Sequence, residues 1–270
     1  MRSLWSGALS FGLINIPVNL YPATFDRGIN LDMLHKKDLS PIRFARFCKL
    51  EDKEIPYDEI VKGYEYEKGQ YIVLTEEDFI KASPKRTKTL EIELFIDEGE
   101  VDPIYYEKPY LLEPGKGASK TYVLLNEALK KSRKVGLATY ILHTKPHIGL
   151  IKPHGRGILL QQLRFHSDLR NFAEIELPVA KIQSKELEIA VKLIDQLTED
   201  FHPEKFKDTY TEELQSVIDQ KTKGIKPSKK KGEPEKITAV GDIMKQLKAS
   251  LTKYHHSHPR TRGRSKARTK

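Results

Sequence analysis

The N-terminal stretch from Ser3 to Phe25, SLWSGALSFGLINIPVNLYPATF, contains no charged residue, although Asp, Glu, Lys and Arg make up 31% of the chain. An export signal, a membrane-spanning helix and a strand of a folded core can each contain such a stretch. The first two require an uninterrupted apolar block, whereas glycine, serine and asparagine recur throughout this one. Pro17 would also break a membrane helix. We therefore expect a strand of a folded domain, no export signal and no membrane association.

The apolar residues of this stretch alternate with small or polar residues, which is the pattern of a β-strand. The apolar phase changes by one residue between Leu13 and Ile14. A slip of one residue is typical of a β-bulge or of strong local twist. The sequence therefore predicts an irregular strand in a barrel-like sheet.

Later segments continue the β pattern to about residue 180 and include one clear helix. Pro109 indicates that its strand either lies at a sheet edge or contains a bulge. The predicted fold class is α+β, predominantly β. The predicted strands are 71–74, 90–96, 104–114, 135–143 and 157–165, and the helix is 121–132.

From residue 183 onward, helical periodicity replaces the β pattern. Ser184 can cap a first helix, Thr209 and Glu212 have the spacing of a capping box at a second, and Gly224 can end that second helix. Residues 225–236 contain Pro, Gly, Ser and charged residues and are predicted to form a flexible linker. The segment 237–254 is predicted to be an amphipathic helix that either docks on its own core or binds a partner.

The charge is distributed unevenly along the chain, whose net charge is +9. By our count, residues 221–270 carry a net charge of +13, and residues 1–220 carry −4. This asymmetry indicates a polyanionic partner, with nucleic acid the first candidate and a merely solubilising tail the alternative. Residues 255–270 are expected to be a basic disordered tail. Cys48 is the single cysteine, which excludes an intramolecular disulfide and favours a cytoplasmic location.

No established catalytic motif is present. The chain lacks a phosphate-binding P-loop, a dinucleotide-binding glycine fingerprint and the G-x-S-x-G motif of hydrolases. An acidic cluster could hold Mg²⁺ in a nuclease, but a solvated hairpin loop explains it more simply. We predict no enzymatic activity, no cofactor and no metal site. The cluster consists of Asp97, Glu98, Glu100 and Asp102.

The sequence resembles the bacterial Ku family of DNA-end-binding proteins in non-homologous end joining. The first matching segment is LWSGALSFGLINIPVNLYPAT, and further motifs follow in the same order. Because several long motifs match in order, the resemblance is more specific than one short pattern. These motifs are LHKKDLSPIRF (34–44), EIPYDEIVKGYEYEKGQYIVLTEEDF (54–79), VDPIYYEKPYLLEP (101–114), TYVLLNEALKK (121–131) and FHPEKFKDTYTEEL (201–214).

The resemblance implies a homodimer in which two arms close a ring around double-stranded DNA ends without reading their sequence. It also implies recruitment of an ATP-dependent DNA ligase, ligase D, and a location in the bacterial nucleoid. The implied organisation is a Ku-type β-barrel core with a bridge arm, followed by C-terminal helices and a basic disordered tail. The core is 1–182 with an arm at about 22–75, and the helical part is 183–224. Some bacterial Ku chains carry paired cysteines near Cys48, and with one cysteine a zinc hook is not supported.

Sequence-independent binding requires contacts to phosphates, so clustered basic residues are the candidate DNA ligands. The first group is Lys36, Lys37, Arg43 and Arg46, the second is Lys145, His147, Lys152, His154 and Arg156, and the third is Lys85, Arg86 and Lys88. The tail adds Arg260, Arg262, Arg264, Lys266, Arg268 and Lys270. The candidate partner-binding residues are Ile243, Met244, Leu247 and Leu251. The main alternative function is a general DNA-compacting protein that binds through this tail.

Overall fold

The computed structural model describes residues 1–25, 27–82, 88–142 and 145–225. The chain divides into two compact units, Met1–Glu174 and the residues from Ile175 onward. The first unit contains β1 (Trp5–Phe11), β2 (Ile14–Pro22), β3 (Lys62–Glu67), β4 (Gln70–Leu74), α1 (Glu76–Ala82), β5 (Thr89–Ile96), β6 (Tyr106–Pro114), α2 (Ser119–Ser132), β7 (Val135–Leu142), β8 (Lys145–His154) and β9 (Gly157–Leu163). The second contains α3 (Ser184–Leu197) and α4 (Thr209–Thr222).

Seven strands form a closed barrel in the order β1-β2-β6-β9-β8-β7-β5, and β3 and β4 form a separate ribbon. All barrel neighbours pair antiparallel except β1 and β5, which close the barrel in parallel. This closure brings two backbones very close, because a Cβ at Gly7 would lie 2.2 Å from the carbonyl oxygen of Lys88. Glycine is therefore required at position 7.

The predicted bulge between Leu13 and Ile14 is wrong, because the chain reverses direction there. Phe11 pairs with Ile14, so Gly12 and Leu13 form a two-residue turn between β1 and β2. Gly12 has φ 58°, a conformation that glycine adopts without steric cost. A reversal and a bulge both shift the apolar phase by one residue, and the alternation pattern alone does not separate them.

The barrel interior is filled by inward-facing aliphatic side chains, which supply the main hydrophobic core. Leu9, Ile16, Leu90 and Leu160 are fully buried there. Helix α2 packs against the same core through Tyr122, Leu125 and Leu129. A smaller cluster on Val135, Leu150 and Leu163 lies under the segment that leads from β5 to β6. The elements of the first unit are thus organised around the barrel.

Strand register defines two rims of the barrel. At one end of the barrel lie the end of β2, the start of β6, the end of β9 and the start of β8. The chain leaves the barrel here after β2 and forms a long segment, residues 23–75, which we call the excursion. We call this end of the barrel the excursion rim. The helix rim contains the Gly12–Leu13 turn, the end of β6 and the Gly155–Arg156 turn. Helix α2 lies at the helix rim, since it connects the end of β6 to the start of β7.

Most predicted elements are confirmed with small shifts of their ends. The strands predicted at 71–74, 90–96, 135–143 and 157–165 are observed, as are α2 and both C-terminal helices. Strand β6 contains the register shift expected near Pro109, although it lies inside the barrel and not at an edge. Strands β3 and β8 and helix α1 were not predicted. The last helices begin with Gln183 and Asp208 as their N-caps, one residue before the predicted positions.

Candidate nucleic-acid interface

The excursion is the part of the first unit that least resembles a folded core. Among the residues that the structure describes between Leu20 and Leu90, no apolar side chain is buried. By our count, seventeen large apolar or aromatic side chains between Phe25 and Val73 are exposed. An exposed apolar surface of this extent marks an interaction site.

The first half of the excursion forms a tight hairpin that presents the predicted residues Lys36 and Lys37 at its tip. Leu34 bridges to Pro41, and the backbone N–H of His35 donates to the carbonyl of Ser40 at 2.9 Å. The Asp38 carboxylate accepts bonds from the backbone N–H of Ser40 at 3.0 Å and from its hydroxyl at 2.8 Å.

These bonds stabilise the ionised form of the Asp38 carboxyl. The backbone N–H of Ser40 is the largest contributor and holds the pKa of Asp38 below its usual value, and the Ser40 hydroxyl and His35 act in the same direction. The carboxylate is therefore engaged in shaping the turn, while both lysines remain exposed.

The other two residues of the first predicted group already have partners within the excursion. Arg43 pairs with Glu54 at 3.6 Å, and both side chains are largely exposed. The guanidinium of Arg46 lies 5.1 Å from the ring centroid of Tyr57. Exposed contacts of this kind contribute little to stability, so neither prevents an exchange for a phosphate contact.

Charge is segregated between the two halves of the excursion. By our count, residues 23–49 carry six basic and three acidic side chains, whereas residues 50–75 carry three basic and seven acidic. The first half is thus the part that suits a polyanion, and it contains the whole first predicted group.

The second predicted group is split between the two rims. Lys145 and His147 lie at the start of β8, at the excursion rim, whereas His154 and Arg156 lie at the opposite end of the β8–β9 hairpin. At about 3.3 Å per residue, the two ends of β8 are about 30 Å apart. These residues therefore do not form one cluster.

Two members of the second group already contact other side chains of the first unit. The ammonium of Lys152 pairs with the Glu98 carboxylate and lies 6.0 Å from the ring centroid of Tyr106. The ring of His147 stacks on Tyr140 with 5.4 Å between centroids. Lys145 is exposed and is the member best placed to meet a ligand at the excursion rim.

The remaining predicted residues lie mostly outside the described residues. Lys88 is exposed and immediately precedes β5, whereas Lys85 and Arg86 fall outside the described ranges. The same is true of the tail and of the candidate partner-binding stripe, namely Arg260, Arg262, Arg264, Lys266, Arg268, Lys270, Ile243, Met244, Leu247 and Leu251.

Sequence reasoning missed Lys108 and Arg164, two basic residues that register places at the excursion rim. Lys108 is exposed near the start of β6. The guanidinium of Arg164 donates to the carbonyl oxygens of Ile104 and Tyr106, so it is fixed against the backbone. Neither belongs to a run of basic residues in the sequence, and only strand register reveals its neighbours.

Three of the four acids considered for a nuclease site serve the local structure. Asp97 pairs with Lys134 at 2.7 Å, Glu98 pairs with Lys152, and Asp102 accepts a bond from the N–H of Ile104 at 3.0 Å. No group of three metal-ligating side chains converges within the described ranges. Among the residues that the structure describes, no helix has the length and apolar character of a membrane span.

Comparison with known proteins agrees with this architecture. A family model described as the Ku70/Ku80 beta-barrel domain matches residues 10–189. The non-homologous end joining protein Ku of Opitutus terrae is 40% identical over 254 residues, which cover 93% of this chain and 91% of the relative. The protein of the same name from Archaeoglobus fulgidus is 38% identical, with 93% and 98% covered. The Pseudomonas aeruginosa protein is 38% identical, with 82% and 76% covered. A closed barrel, a family match to most of the chain and relatives that span nearly its whole length together show that this chain belongs to the Ku family.

Proposed function

We propose that two copies of this chain form a ring that binds double-stranded DNA ends without sequence specificity in non-homologous end joining. The relatives are named as proteins of that process. The observation that carries the proposal is the excursion, which extends from a closed barrel and has no buried side chain among its described residues. The barrel does not need it for closure, so its residues serve contacts with other molecules.

The apolar surface of the excursion supports a second copy as one of these molecules. The β3–β4 ribbon exposes Tyr64, Tyr66 and Ile72, and a two-stranded ribbon in water is at best marginally stable. Burial against a partner would remove this surface from water. Helix α3 also leaves Leu187, Val191 and other residues of its apolar stripe exposed.

The charge of the excursion supports DNA as the other molecule. Lys36 and Lys37 project from a hairpin tip in its positively charged half, and Lys88 and Lys145 lie at the rim from which it departs. Lysine contacts phosphate as a point charge and does not select a base sequence by itself. A set of such contacts suits binding that does not depend on DNA sequence, and the proposed ring adds the requirement for a free end.

The proposal includes an ATP-dependent DNA ligase, ligase D, as the protein partner. The support is the amphipathic pattern of 237–254, which lies outside the described residues. The double change Ile243→Asp and Leu247→Asp is expected to spare DNA binding and to reduce ligase stimulation. The matched control Ala249→Asp with Thr252→Asp places the same charges on the opposite side of the predicted helix. Equal losses in both double variants would contradict docking through the apolar stripe.

Band shifts on linear, hairpin-capped and closed-circular DNA of matched length test the end-binding function. We expect the full-length protein to bind linear DNA, to lose binding when both ends are capped, and not to load on closed circles. Analytical ultracentrifugation of the same preparation should show a dimer. Equal binding to circular DNA would favour a DNA-compacting protein, and cleavage with Mg²⁺ would favour a nuclease.

A further inference from the structure

The excursion contains a structural repeat. The first hairpin, residues 33–42, and the second hairpin, residues 46–55, share the same backbone hydrogen bonds at an offset of 13 residues. In the first, the donor and acceptor pairs are His35 to Ser40, Leu39 to His35 and Ile42 to Met33, at 2.9, 2.8 and 3.0 Å. In the second, they are Cys48 to Lys53, Asp52 to Cys48 and Ile55 to Arg46, at 2.9, 2.9 and 2.8 Å.

Backbone conformation and strand pairing repeat in the same way. The bridge Leu34–Pro41 corresponds to the bridge Phe47–Glu54. Leu39 has φ 60° and its equivalent Asp52 has φ 51°, and both conformations are uncommon for residues other than glycine. Agreement in three hydrogen bonds, one bridge and one positive φ makes the second hairpin a structural copy of the first.

Only two of the ten aligned positions keep the same residue. These are the lysine at the tip, Lys36 and Lys49, and the isoleucine at the base, Ile42 and Ile55. The isoleucine lies at the position that closes each hairpin, where a structural role explains it. The lysine has no such explanation, because both copies are exposed and form no ion pair with any residue that the structure describes.

The two hairpins are joined by a short connection with its own contact. Arg43 leaves the first hairpin and pairs with Glu54 at the base of the second at 3.6 Å. This pair brings the end of one hairpin next to the base of the other. The chain therefore presents two equivalent lysines from adjacent hairpins, Lys36 within the positively charged half of the excursion and Lys49 at the end of that half.

We propose that the two hairpins bind the DNA backbone together, and that Lys49 contacts a phosphate in the same way as Lys36. The inference rests on the proposed function and adds a contact residue that the charge clusters of the sequence did not indicate. Leu50 occupies the position equivalent to Lys37. A lysine introduced at position 50 should therefore add one further phosphate contact.

Salt-dependent band shifts of the full-length protein on linear DNA test this inference. Each phosphate contact contributes about 0.9 to the slope of log affinity against log salt concentration, so losing one in each subunit changes a dimer's slope by about 1.8. We expect this reduction for Lys36→Ala and for Lys49→Ala. The loss of affinity should be smaller for Lys49→Ala, because Glu51 and Asp52 already oppose phosphate binding at that tip.

Two further variants provide the control and a gain of function. Lys53→Ala removes the same charge four residues away, at the position equivalent to Ser40, and should leave the slope unchanged. Leu50→Lys should increase the slope by about 1.8. Circular dichroism checks that each variant is folded.

The inference is overturned if Lys49→Ala behaves like Lys53→Ala, or if Leu50→Lys leaves the slope unchanged. In either case end binding by the wild-type protein would still stand. Equal binding of the wild-type protein to closed circles would instead refute the proposed function, whatever these variants do.

Discussion

The Tyr122 hydroxyl offers a direct test of how helix α2 is attached to the barrel. It donates to the carbonyl of Leu112 in β6 at 2.6 Å and accepts from the backbone N–H of Ile158 in β9 at 2.7 Å. These two residues face each other across the β6–β9 pair. Burial is the main cause that raises the pKa of Tyr122, so the hydroxyl stays protonated and able to donate at neutral pH.

The change Tyr122→Phe keeps the ring and removes both hydrogen bonds. The side chain is 4% exposed, so water does not readily replace the lost hydroxyl. Each buried backbone group left without a partner costs about 1–3 kcal/mol. We therefore expect a loss of about 3 kcal/mol in the free energy of unfolding. For a unit of this size, that corresponds to a Tm lower by about 6–12 °C.

Differential scanning calorimetry of the full-length protein measures this change, and urea unfolding gives the free energy independently. Tyr21→Phe is the matched control, because its hydroxyl donates to the Glu113 carboxylate at 2.7 Å in an exposed position. We expect no measurable change for the control. A Tyr122→Phe protein that melts at the wild-type temperature would refute the view that this hydroxyl anchors α2.

Three further predictions concern barrel closure, dimerisation and the first hairpin. Gly7→Ala should destabilise the barrel by at least about 2 kcal/mol in urea unfolding, since its Cβ would collide with the Lys88 carbonyl, whereas Gly99→Ala has open space and should not. Replacing Ile72 of the β3–β4 ribbon by Ser should weaken dimerisation in sedimentation experiments without lowering the Tm. Asp38→Ala should weaken DNA binding in band shifts, because the loss of the two hydrogen bonds from Ser40 that shape the turn outweighs the removal of a negative charge beside the lysines. Because hydrogen bonds lower the pKa of Asp38, wild-type binding should persist under mild acid and decline only as the pH falls through that lowered value.

The sequence predicted the barrel well because alternation and turn chemistry act locally. Pro109 indicated a local irregularity, and a register shift is observed beside it. Strand β8 was missed because Pro146, Gly149 and Pro153 interrupt its pattern. Its pairing on both sides with β7 and β9 outweighs these weak local preferences.

The candidate interface was harder to predict, because it depends on distances that sequence neighbours do not reveal. Lys145 and Arg156 looked like one basic group, but a strand of ten residues separates them. Lys36 and Lys49 looked unrelated, but equivalent hairpins present both of them. Charge clusters along a chain indicate a binding surface only when the intervening backbone folds back on itself.

The parallel pairing of β1 with β5 has a consequence for how this architecture can diverge. It joins the two sides of the excursion, so the barrel closes around an insertion whose described residues contribute no buried side chain to its interior. Doubling the length of a flexible insertion costs only about 0.6 kcal/mol in closure entropy. Evolution can therefore lengthen or shorten this segment, and so alter the opening of the proposed two-copy ring, with little penalty to the folding of the scaffold.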